Sequence, residues 1–143
     1  MKTVDVTALG ELLIGFAMSG QSEQGNNVFE ACPGGAPCNV LAMLNKLGKK
    51  TAFLGKVGND QEGAYVSDVL SQGGVDVSGF VVDDSDKTSF TEVMSVINGQ
   101  RTFFTYPGTS ADFGFADMDF DNLNAKILHL GYFLLLEKVD RGD

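Results

Sequence analysis

The residues best suited to gripping a ligand run Gly34-Gly35-Ala36-Pro37-Cys38-Asn39. Two glycines form a turn without Cβ atoms, so a ligand can come close to the backbone. Pro37 suits the first turn of a helix, where its missing N–H leaves nothing unsatisfied. Asn39 falls in the same turn, beside backbone N–H groups that have no partner within the helix. A glycine turn feeding a helix N-terminus, with a carboxamide at its mouth, can hold a small polar ligand; the plainer reading is an ordinary turn and helix start. Other chemistry is sparse. His129 lies far from Cys32 and Cys38, and those two cysteines are not spaced as Cys-x-x-Cys, so no zinc site is expected. Asp112, Asp117, Asp119 and Asp121 lack EF-hand spacing and read as solvated or helix-capping groups. No Gly-x-x-x-x-Gly-Lys-[Ser/Thr] phosphate loop occurs.

The elements that would position this turn follow from periodicity. Residues 3–9 read as a buried strand ended by Gly10, residues 11–16 continue extended, 19–27 form a polar loop, and 28–32 a short returning strand. Val40, Leu41, Met43, Leu44 and Leu47 recur at helical spacing and predict one apolar face, closed by Gly48. Residues 51–54 make a second strand. Asn59-Asp60-Gln61-Glu62 has the spacing of a capping box, with Asn59 as N-cap, opening a helix that buries Tyr65, Val66, Val69 and Leu70 and stops at Gly73-Gly74. Residues 80–82 form a third strand. This βαβ rhythm predicts a mostly parallel sheet with helices on its faces. The pattern then changes: residues 88–97 and 101–106 flank Asn98-Gly99, a type I′ hairpin signal. The hairpin is expected to join residues near 12–18 and 28–32 in a small second sheet. Residues 112–123 read as a loop with a short helix, and 125–131 and 133–136 as strand-like. About four parallel strands would leave an open edge, so the chain reads as an interrupted domain.

Composition sets bounds. The chain has 143 residues, 43% apolar and 20% charged, with a net charge of −9, enough for one domain and without the basic face a nucleic-acid partner needs. No apolar run reaches about 18 residues, which excludes a transmembrane helix and argues against a membrane partner. The first residues lack the apolar stretch of a signal peptide. A cytoplasmic location with free Cys32 and Cys38 is therefore expected.

The glycine turn, Gly48, and the run Phe53-Leu54-Gly55-Lys56-Val57-Gly58-Asn59-Asp60-Gln61-Glu62-Gly63 together resemble the first signature of the ribokinase-like (pfkB) carbohydrate kinases. Gly10-Glu11-Leu12-Leu13-Ile14 is similar to the fructokinase branch, and Gly74-Val75-Asp76, Tyr106-Pro107-Gly108 and Ala111-Asp112 match further segments. The resemblance covers essentially residues 1–143, as the N-terminal part of one sugar kinase domain. It implies an α/β, Rossmann-like core with helices on both faces, plus a small antiparallel β lid formed by about 12–18, 28–32 and 88–106. It implies transfer of the ATP γ-phosphoryl group to a hydroxyl of a small-molecule sugar. Gly34, Gly35 and Asn39 would hold the sugar, with Glu11, Gly15, Phe104 and Tyr106 as further candidates. Two departures stand out: Gly15 replaces an Asp that binds the sugar in fructokinase-like sequences, and Leu41 replaces a small residue. Glu137 falls near a sugar-contacting carboxylate of some relatives, but reads here as a surface residue.

The family's Gly-Ala-Gly-Asp segment, with its catalytic Asp, and its adenine, phosphate and Mg²⁺ residues have no counterpart in this sequence. Catalytic, cofactor-binding and metal-binding residues are therefore expected to be none in this chain. ATP and Mg²⁺ would serve the complete enzyme and not bind this chain alone, which is expected to be inactive. The alternatives are a non-catalytic sugar-binding or dimerising fragment and, within the family, a 2-keto-3-deoxygluconate or nucleoside kinase. The resemblance also implies a homodimer through the lid.

Overall fold

A computed structural model describes residues 3–95, 99–120, 123–131 and 136–143. Asn98 of the expected turn, Asp121, and most of the strand expected at 133–136 lie outside the described residues.

The core sheet has the order β5 (Val75–Asp83), β4 (Thr51–Gly58), β1 (Val4–Leu9), β8 (Ala125–Leu130), with every pairing parallel. β4 is buried along its whole length, as expected of a strand covered on both faces. Side chains alternate across it. Phe53 joins Ala8, Leu41 and Val66 in one cluster, while Leu54 joins Leu9, Phe113, Met118 and Leu136 in another.

α1 (Ala36–Lys46) docks by Pro37, Cys38 and Leu41. This corrects the expected face, because Val40, Met43 and Leu47 are exposed. The helix is pressed to the sheet through its first turn, so the buried stripe is rotated relative to the wider apolar band. Gly48 follows the helix with φ +78°, as a C′ glycine does. α2 (Gln61–Gln72) buries Val66 and Leu70, but Tyr65 and Val69 are exposed. Its N-cap is Asp60, not Asn59: the Gly63 N–H donates to the Asp60 carboxylate at 2.8 Å. Asn59 is drawn away to β5 and the loop after it, its N–H donating to the Asp83 carbonyl and its amide to Asp84.

The second sheet has the order β3 (Asn27–Gly34), β2 (Leu13–Gln21), β6 (Phe90–Ser95), β7 (Arg101–Tyr106). β2–β3 and β6–β7 are antiparallel, but β2–β6 is parallel, so the lid is mixed where an antiparallel one was expected. The cause is topological. β2 and β6 each follow a parallel core strand, β1 and β5, and so leave the same C-terminal end of that sheet in the same direction. β2 and β3 also run longer than expected, and the loop contracts to a turn closed by Ser22 N–H donating to the Asn26 carbonyl.

Two aspartates expected to be solvated are instead paired. Lys56, 8% exposed on β4, contacts Asp83 at 2.9 Å, Asp112 at 3.2 Å and Asp117 at 3.6 Å. A buried ammonium needs such partners. Burial pulls its pKa down, but the hydrogen bonds to Asp83 and Asp112 and the charge of Asp117 outweigh it and hold Lys56 above its usual range. Asp112 ends α3 (Gly108–Asp112) and also pairs with Lys138 of α4 (Glu137–Arg141). This network ties β4 to the segments that follow the lid.

Candidate functional site

The site begins where β1 ends. Gly10 packs against the first turn of α1: a Cβ there would lie 2.3 Å from Pro37 Cγ and 2.8 Å from the Gly131 carbonyl oxygen. Next in the chain, Glu11 is buried, and its Oε1 accepts the Ala36 N–H at 2.9 Å. That bond satisfies one of the helix donors left open by geometry. Glu11 Oε2 is buried with no partner among the described residues. Burial pushes the Glu11 carboxyl above its usual range, against the opposing hydrogen bond from Ala36. Burial, reinforced by the Glu11 charge, pushes the neighbouring Cys38 thiol up to about 12; such a thiol is a poor nucleophile.

The two glycines of the turn differ. Gly35 caps α1 with φ +110°, and a Cβ on it would sit 2.4 Å from the Glu11 carbonyl oxygen. Gly34 ends β3, and a Cβ there would meet only ordinary contacts, the nearest Leu13 Cδ1 at 3.4 Å.

A cleft of about 520 Å³ opens between this turn and the second sheet. Glu11, Gly35, Ala36 and Asn39 form its floor, and Leu13, Gly15, Thr91, Val93, Phe103 and Thr105 its lid wall. Gly35, Asn39, Glu11 and Gly15 are thus brought together. Gly34 stands beside the cleft without lining it. Phe104 and Tyr106 do not line it either, which corrects their expected place. Along β7, residues 103 and 105 point to one face and 104 and 106 to the other. Tyr106 instead stacks on Phe90, with centroids 5.4 Å apart, and its hydroxyl donates to Asp86 at 2.6 Å. Phe103, Thr105, Thr91, Val93 and Leu13 were missed, and only the hairpin register reveals which alternate residues face inward. Glu137 is exposed, pairs with Arg141 at 3.2 Å, and does not line the cleft.

The lid is rooted in the second half of the sequence signature. The Thr88 N–H and hydroxyl both donate to the Asp60 carboxylate, at 2.8 and 2.6 Å, while the Gly58 N–H donates to Thr88 Oγ1 at 2.9 Å. A Cβ on Gly63 would fall 2.3 Å from the Gly58 carbonyl oxygen. The N-terminus of α2, the end of β4 and the entry to β6 therefore meet at one carboxylate. Chemically, the cleft can read hydroxyl groups: the Asn39 carboxamide both donates and accepts. Among the described residues, no group of three or more His, Cys, Asp or Glu side chains is placed to share a metal ion.

Known proteins resemble this arrangement. The profile of the pfkB family carbohydrate kinases matches residues 5–142. Fructokinase-2 of Oryza sativa subsp. japonica is 37% identical over 142 residues, covering 96% of this chain and 42% of that protein. The crystal structure of a fructokinase from Xylella fastidiosa superposes with a TM-score of 0.80 at 28% identity, over 88% of this chain and 40% of that one. A sugar kinase from Pyrococcus horikoshii in complex with ATP gives 0.74 at 31% identity, over 87% of this chain and 42% of that one. The chain spans about 40% of the length of these relatives.

Proposed function

The chain belongs to the pfkB family of carbohydrate kinases, and on that premise we propose that it forms the sugar-binding part of a fructokinase-like kinase domain. The observation that carries this reading is the meeting of Gly35, Asn39 and Glu11 with three lid strands, β2, β6 and β7, around one cleft. Asn39 and the backbone of the glycine turn would orient the acceptor's hydroxyls, while Gly34 shapes the approach to the turn. The lid would exclude water, which otherwise competes with the sugar for a phosphoryl group. ATP with Mg²⁺ supplies that group when bound. On this reading it is expected from the rest of the kinase domain, because Lys56 is engaged by three aspartates and not free to meet a phosphate. No step is therefore assigned to ATP on this chain, and turnover is expected only with the rest of the kinase domain present.

Calorimetric titration with fructose, ribose and adenosine tests the site. We expect binding of at least one of them, weakened about five- to thirtyfold by Asn39→Ala, the loss of one or two hydrogen bonds of about 1 kcal/mol each. Absence of binding by all three, or indifference to the substitution, contradicts it. We also propose a homodimer through the lid, supported by exposed Met18, Met94 and Phe104 on its outer face; a solution mass twice the monomer's is expected, and a monomer's mass refutes it. No helix among the described residues is long and apolar enough to cross a membrane, and free Cys32 and Cys38 suit a cytoplasmic setting.

A further inference from the structure

Pro37 seats the start of α1 on the core sheet. The buried residues of that helix are Pro37, Cys38 and Leu41, so two of the three fall in its first turn. The proline ring lies between the ends of two neighbouring strands. Gly10 follows β1 and Gly131 follows β8, and the Gly131 N–H donates to the Leu9 carbonyl at 3.1 Å. A Cβ on Gly10 would lie 2.3 Å from Pro37 Cγ. One on Gly131 would lie 3.0 Å from the same atom, 3.6 Å from Pro37 Cδ and 3.2 Å from His129 Nε2. The φ of Gly131 is not in the left-handed region, so its backbone does not call for glycine. What the position supplies is room for the proline ring.

This seat adjoins the floor of the cleft. Glu11 follows Gly10, Ala36 precedes Pro37, and the 2.9 Å bond from the Ala36 N–H to Glu11 joins them. Asn39 stands two residues beyond Pro37, its N–H donating to the Gly35 carbonyl at 3.3 Å. Gly35, Ala36 and Asn39 line the cleft, whereas Gly10 and Gly131 do not. A close-packed contact transmits displacement, so moving the ring moves the groups that face a ligand.

Resting on the sugar-site reading above, we propose that Gly131 is a positioning residue for the cleft. The end of β8 sets how deeply Pro37 sits, and through it where Asn39 and the Ala36–Glu11 pair stand. Gly131 itself does not touch the ligand.

The test is a double-mutant cycle on the full chain. It is read by calorimetric titration with fructose, ribose and adenosine, and by the amide NMR spectrum of the free protein. Gly131→Ala suits the backbone, so its melting temperature should stay within about 4 °C of wild type. Its affinity for whichever probe binds should fall about three- to tenfold. The Gly35, Ala36 and Asn39 amide signals should move before any probe is added. In a Pro37→Ala background the ring atoms are gone from the path of the new Cβ, and the loss caused by Gly131→Ala should shrink to within about twofold. Should Gly131→Ala unfold, the double variant must fold and bind as Pro37→Ala does. An equal loss in both backgrounds, unmoved Ala36 and Asn39 amides, undiminished binding by Gly131→Ala, or a double variant that fails where Pro37→Ala folds overturns the positioning role and leaves the sugar-site reading standing. Absence of binding of all three probes by wild type overturns that reading and this proposal with it.

Discussion

Gly35→Ala is expected to lower the melting temperature by roughly 4–12 °C and to abolish sugar binding. At φ +110° the backbone occupies a conformation that L side chains rarely adopt, and holding alanine there costs about 1–3 kcal/mol. Strain is only part of the effect. The new Cβ would stand 2.4 Å from the Glu11 carbonyl oxygen, so either the turn or the chain after β1 must give way. Whichever moves, the Glu11 carboxylate and the Ala36 N–H part, and the floor of the cleft loses its shape. Gly34→Ala is the matched control. Its Cβ has 3.4 Å of clearance from the nearest atom, the end of a flexible leucine, and a change within about 0.5 kcal/mol is expected. Thermal melts of the two variants side by side separate the conformational demand at 35 from a general intolerance of the turn.

Asp60→Ala is expected to cost about 2–4 kcal/mol. Loss of an N-cap accounts for about 1 kcal/mol. The rest comes from the Thr88 N–H, which loses its acceptor in a partly buried site, and from the buried Thr88 hydroxyl. Because Thr88 leads into β6, the variant should also weaken ligand binding although Asp60 lies outside the cleft. A pH signature accompanies it. Burial acts to raise the Asp60 carboxyl, but hydrogen bonds from Thr88 and Gly63 and the Lys87 charge outweigh it and hold it below the usual 3.8. Asp83 is also lowered, by Ser85 and Lys56, and Asp112 by Lys138 and Lys56. A carboxylate with a lower pKa in the folded state stabilises the fold above the unfolded value, and that contribution disappears as pH falls through the folded value. Melts should therefore be insensitive to these groups at neutral pH and drop below about pH 4. Asp60→Ala should show a shallower acid decline than wild type; an unchanged decline would dissociate Asp60 from the acid transition.

The parts of the fold written in local chemistry were legible from the sequence. The glycine turn with Pro37 marked the start of α1, Gly48 marked its end, and the alternation of strands and helices indicated the parallel sheet. What escaped depended on distant partners. Asn59 and Asp60 are equivalent as caps by residue type, and distant partners decide between them: Thr88, 28 residues on, engages Asp60, while Asp83 and Asp84 hold Asn59. The apolar band of α1 is wider than the stripe it buries, so periodicity gave its width and not its centre. Phe103 and Phe104 differ by one residue in a run of aromatics, and the β6–β7 register, pairing Val93 with Phe103, decides which enters the cleft. Asp112 and Asp117 read locally as surface acids, and only the fold brings the buried Lys56 against them.

The most direct test of the hydroxyl-reading cleft is an amide-resolved NMR titration of the 143-residue chain with adenosine and fructose. Shifts confined to Gly35, Asn39, Gly15, Thr91, Phe103 and Thr105 are predicted for whichever sugar binds. Saturable shifts that cluster elsewhere, leaving Gly35 and Asn39 unmoved, would contradict the account.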